Sequence, residues 1–137
     1  MDDLHHLVPT GKADLDRARA AVQAGYPAVA PILPELTAWL QDYNWPVAHI
    51  LAPFLAAIGA PMAPHVRHVL ESEDHVWKYW ILQLILPSFP GELVAEFHGE
   101  LMRLCFAPSK AERGEELDQQ ARSVLLQFGY LPAGEGA

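Results

Sequence analysis

The sequence predicts an all-α chain folded as a short α-solenoid of about three stacked helix pairs. Apolar residues recur at helical spacing along nearly the whole chain, and no run alternates with the period of a strand. Helix pairs joined by short acidic or polar turns repeat at a loose period, with Gln41-Asp42-Tyr43-Asn44 in one turn and Glu71-Ser72-Glu73-Asp74 in the next. Trp45 and Trp77 open the second helix of consecutive pairs, 32 residues apart. An irregular bundle would use the same pairs in another stacking. The repeat favours the solenoid.

Leu15, Ala18 and Val22 mark a first short helix, stopped by Gly25 and Pro27. Val29, Ile32, Leu33, Leu36 and Leu40 form the next stripe, which Pro31 and Pro34 divide into a turn of helix and a second piece. Asn44 is placed to cap a third helix, with Pro46 in its first turn. That helix carries Val47, Ile50, Leu51, Phe54, Leu55 and Ile58, is bent at Pro53 and ends at Gly59. A fourth turns Met62, Val66, Val69 and Leu70 inward. From His75 the fifth is apolar nearly all round, so Trp77 to Leu86 is expected to be the most buried helix. A sixth opens at Pro90 with Leu93, Phe97, Leu101 and Leu104 inside and Glu92, Glu96 and Glu100 on another face. Ser109 and Glu112 have capping-box spacing and start a last segment, weakened at Gly114, that carries Leu117, Ala121, Val124, Leu125 and Phe128.

The 137 residues suit one domain, assigned to residues 1–131, with a disordered tail at 132–137 that holds two glycines. Seventeen Asp and Glu against nine Lys and Arg leave a net charge of -8, which argues against nucleic acid and anionic membrane as partners. Cys105 stands alone, which excludes an internal disulfide and fits a reducing, cytoplasmic setting. The acidic start lacks the apolar core of a secretory signal. The longest apolar stretch, Ile50 to Ala63, is short and broken by Pro53 and Pro61, so no membrane span is expected.

Leu7-Val8-Pro9, Gly25-Tyr26-Pro27-Ala28-Val29, the run from Ile32 to Ala48 and the Trp77-Lys78-Tyr79-Trp80-Ile81-Leu82 block carry a resemblance. From Leu7 to about Val124 the chain resembles a family of small bacterial HEAT-repeat-like proteins known as a domain of unknown function. The resemblance implies a short all-helical solenoid. It brings no catalytic residue with it.

The candidate protein-binding residues are Asp42, Tyr43, Asn44, Trp45, Asp74, Trp77 and Lys78. Aromatics with polar handles beside charged turns make good anchors, although Trp and Tyr also fill seams between stacked pairs. Lys78 interrupts an apolar helix and must reach solvent or a carboxylate, for which Asp42 and Asp74 are the expected partners. His65, His68 and Glu71 share a helix face, with His75 after the turn, but no second ligand pair stands at a recognisable spacing, so no metal is expected. The Glu92, Glu96, Glu100 row reads as a solvated face, with Glu100 near Arg103, and secondarily as a footprint for a basic partner. Cys105 reads as a buried small hydrophobe.

Nothing here supplies a reaction, so the sequence points to a non-enzymatic helical-repeat module that binds another protein and needs no cofactor. Two alternatives remain open: a bacterial immunity protein that neutralises a basic toxin, and a small helical hydrolase working through Glu or His.

Overall fold

A computed structural model describes residues 4–132. All secondary structure among them is helical: α1 Leu15–Ala24, α2 Leu33–Ala38, α3 Pro46–Ile58, α4 Ala63–Leu70, α5 His75–Leu84, α6 Gly91–Val94, α7 His98–Phe106, α8 Lys110–Gly114 and α9 Leu117–Gln127, with short 3-10 turns between several. Most of the tail expected at 132–137 lies outside the described residues.

Local chemistry sets most of the boundaries. Asp14 caps α1 by accepting from the Arg17 N–H and from both the N–H and the hydroxyl of Thr10. The Thr10 amide is the main reason its carboxyl is held below the usual carboxylate range. Gly25 and Gly59 end α1 and α3 at φ 74° and 82°, values that a residue with a Cβ rarely adopts. Pro31 and Pro34 divide their stripe as expected, into a 3-10 turn Ala30–Ile32 and α2. The capping box at Ser109 and Glu112 is formed in full.

Three expectations are corrected. Trp45, rather than Asn44, occupies the N-cap of α3 and provides no side-chain bond, because an indole has no acceptor; the Val47 N–H donates instead to the Lys12 carbonyl at 3.0 Å. The first helix buries Ala18 and Ala21, while Val22 is 36% exposed. The sixth helix is three pieces, α6, a 3-10 turn Ala95–Phe97 and α7, although its inward residues are as expected. The segment from Trp77 to Leu86 is buried as expected, with Gln83 alone exposed, whereas α3 exposes Pro46, His49, Pro53 and Ala57. On α3 Val47, Ala48, Leu51, Ala52, Leu55 and Ala56 are buried, and from Trp77 onward Lys78, Ile81, Leu82, Ile85 and Leu86 are buried while Trp77, Tyr79 and Trp80 are half-buried. Alanines let a neighbouring helix approach closely, and α1 does so against α3. Bulky aromatics instead spread along the flanks of α5 with their polar tips outward.

Helix α7 packs on α9, α5 on both α9 and α4, and α3 on α1, α2 and α5. One apolar core runs through these contacts, from Leu7 to Leu125. No single helix among the described residues is long and apolar enough to cross a membrane, and the apolar pair α3–α4 is bent by 114°.

Candidate functional site

A groove of about 460 Å³ lies between α2, α4 and the start of α5, lined by Pro34, Thr37, Ala38, His65, His68, Val69 and Trp77. Its shape follows from local structure. Asp74 caps α5 by accepting from the Trp77 N–H at 3.0 Å, which sets the first turn of the helix against α2. The Trp77 indole Nε1–H then donates to the Thr37 carbonyl at 3.2 Å, fixing the ring as one wall. The Thr37 hydroxyl is spent on the Leu33 carbonyl at 2.7 Å. On α4, His68 meets the edge of the Trp77 ring, with centroids 6.4 Å apart. His65 is pushed below the usual imidazole range, first by burial and then by the charge of His68. A walled apolar slot with two imidazoles results, and no carboxylate is among its lining residues.

The seven residues singled out from the sequence are distributed over five places. Trp77 is in the groove, and Asp74 holds it there. Asp42 accepts from the Asn44 N–H at 2.8 Å and shapes the turn between α2 and α3, where Asn44 is exposed. Trp45 packs edge-on against Trp39 at 5.5 Å and borders a shallow hollow with Val8, Pro9 and Ala38, the last of which also lines the groove. Tyr43 turns the opposite way, stacked on His49 at 4.2 Å and 5.3 Å from Trp80. The α2–α3 turn and α5 therefore meet, through Tyr43.

The expected pairing of Lys78 with Asp42 or Asp74 is not formed, since both carboxylates are used by their own turns. Lys78 is only 4% exposed, so it offers no surface, and its Nζ lies 3.8 Å from Glu112 Oε2. Glu112 also accepts from Arg103 at 3.1 and 2.7 Å and from the Ser109 N–H at 2.7 Å. Arg103 forks at the same time onto Glu100, with both bonds 3.0 Å. Arg103 above all, helped by the Ser109 amide and Lys78, holds the Glu112 carboxyl at about 2 against its desolvation. This network ties α5, α7 and α8 together. Its sequence trace was the capping box, which already obliged the Glu112 side chain to fold back toward Ser109.

The glutamate row is neutralised in part, with Glu96 3.6 Å from Arg67 and Glu100 held by Arg103. Cys105 is buried, and desolvation pushes its thiol up. Among the described residues no group of three His, Cys, Asp or Glu is arranged to hold a metal ion.

No curated protein matches the chain. A family model described as a domain of unknown function, DUF5071, matches residues 7–125. With most of its length covered, from the Leu7 buried at the start of the core to the Leu125 that closes it, the chain belongs to the DUF5071 family.

Proposed function

We propose that the chain is a non-enzymatic helical-repeat module that binds another protein in the cytoplasm, its helix pairs stacked as a HEAT-like solenoid. The stacking reading is supported by which helices touch. First helix meets first helix at α2 and α4, and second meets second at α3–α5 and α5–α9, the pattern of successive repeats. The cytoplasmic setting is supported by the single, buried thiol of Cys105.

The observation that carries the function is the groove between α2, α4 and α5. Trp77 is an aromatic wall fixed by its own hydrogen bond, beside apolar Pro34, Ala38 and Val69, and such pre-formed pockets take the anchor residues of a partner. The hydrolase alternative has less support: the groove itself is lined by no carboxylate, and in the adjoining hollow that His68 shares with Glu71 and Glu96 the Glu96 carboxylate is paired with Arg67.

Affinity capture from the native cell with the wild-type chain and with Ala38→Arg tests the reading. The arginine fills the groove from half-buried position 38. A protein enriched by the wild type and lost with Ala38→Arg, at unchanged far-UV helical signal, is the expected result. Equal enrichment by both, or by neither, overturns it.

A further inference from the structure

A second site stands on the flank of α5 away from the groove. Val76, Tyr79 and Trp80 face the α8–α9 junction, Gly114 to Glu116, across a pocket of about 360 Å³. The Tyr79 and Trp80 rings are perpendicular, at 87° and 4.8 Å between centroids, and Tyr43 supports Trp80 from behind at 5.3 Å. Perpendicular rings make a corner that offers a π-face, the electron-rich side of an aromatic. The opposite wall holds Glu115 and Glu116, both exposed. Glu116 keeps a left-handed backbone, φ 61°, which is uncommon for a residue with a Cβ. A Cβ at Gly114 would meet nothing within 4 Å, so the mouth is open. All nine Lys and Arg are among the described residues, and none of them forms an ion pair with Glu115 or Glu116.

The chain completes this chemistry elsewhere by itself. The Arg67 guanidinium lies 4.9 Å over the Phe97 ring with Glu96 at 3.6 Å, and Arg122 lies 5.6 Å over Phe106. At Tyr79, Trp80, Glu115 and Glu116 the ring faces and carboxylates are present, and the internal cation is not. Lys78, one residue away, is committed to Glu112 inside the fold.

We infer that this corner receives an arginine side chain presented by a partner protein. A guanidinium is planar and can lie on a Trp or Tyr face while its N–H fork reaches a carboxylate, a combination that the ammonium of lysine does not reproduce. The net charge of -8 favours approach by a basic partner. The inference rests on the protein-binding reading but uses a surface separate from the groove, so each can fail alone.

The test titrates the isotope-labelled chain with acetyl-Gly-Arg-Gly-amide and, as an uncharged isostere, the same peptide with citrulline, while the assigned indole N–H signals are followed by NMR. The Arg peptide is expected to shift the Trp80 indole saturably and to leave Trp77 unmoved. The citrulline peptide should fail, and the double variant Glu115→Gln, Glu116→Gln should bind at least about threefold more weakly with its amide spectrum otherwise intact. No saturable shift, an equal response to citrulline, or undiminished binding by the double variant overturns the inference. Ala38→Arg is expected to bind the peptide like the wild type. Equal partner capture by the wild type and Ala38→Arg, with peptide binding intact, therefore counts against the groove alone, whereas capture lost with Ala38→Arg but no saturable peptide shift counts against this corner alone.

Discussion

Lys78 Nζ lies 3.8 Å from Glu112 Oε2 inside the fold, and Arg103 holds both oxygens of the same carboxylate. The two cations are unequal. Removing Lys78 leaves Glu112 with Arg103 and the Ser109 amide, whereas removing the charge of Glu112 leaves a lysine that is 4% exposed without a counter-ion.

Stability should show this asymmetry. Glu112→Gln keeps an acceptor for Ser109 but strands Lys78, and is expected to cost about 3–5 kcal/mol in urea unfolding. Lys78→Met replaces a buried ammonium with an apolar side chain of similar length and should stay within about 1 kcal/mol of wild type, or exceed it. Equal losses in the two variants would contradict the assignment.

Acid should remove the same stabilisation. The Glu112 carboxyl is depressed in the fold, from an ordinary 4.5 to about 2, so the unfolded chain binds its proton first. The contribution is complete above about pH 4.5 and is lost as pH falls toward 2. The wild-type advantage over Glu112→Gln, followed by urea unfolding at several pH values, is expected to shrink over that window. An advantage that is constant with pH would exclude a charged Glu112 as its source.

The close approach of α1 to α3 leaves no room at Ala18. Ala18→Leu is expected to cost about 1–3 kcal/mol through overpacking. Val22→Leu on the same helix, at a 36% exposed position, should stay within about 0.5 kcal/mol. Chemical denaturation of the two variants decides whether α1 presents the alanine face.

His65 is expected to titrate below the ordinary imidazole value of 6.5, because burial and the nearby His68 both disfavour its proton. The sign for stability follows from that depression. The contribution is present above 6.5 and declines as pH falls below it. An NMR titration of the imidazole protons reads the value directly, and His68→Gln should raise it part of the way back. A His65 midpoint above 6.5 would contradict the buried setting in the groove.

What the sequence determined by itself is everything decided within a few residues of chain. Gly25 and Gly59 end their helices, Pro31 and Pro34 split one stripe, and Ser109 meets Glu112, because cap, turn and proline chemistry act over three or four residues. The inward faces of α2, α4 and α9 were legible for the same reason, since Leu, Ile and Val at helical spacing leave a helix one way to bury its apolar side. Only the tertiary structure decided what lies across from each face. Sequence alone required solvent or a carboxylate for Lys78, and the nearest turns suggested Asp42 and Asp74. Those side chains were already consumed by local backbone N–H groups, and the partner came from α8, at Glu112. Small residues hid part of the burial of α3, because Ala48, Ala52 and Ala56 carry little hydrophobic signal until α1 closes on them. The aromatic group divided for a related reason. A ring at the flank of a helix turns toward whichever neighbour offers a surface, and Trp45, Tyr43 and Trp77 found Trp39, Trp80 and Thr37 on different sides. Such choices are made between elements tens of residues apart, where packing rather than chain proximity sets the energy.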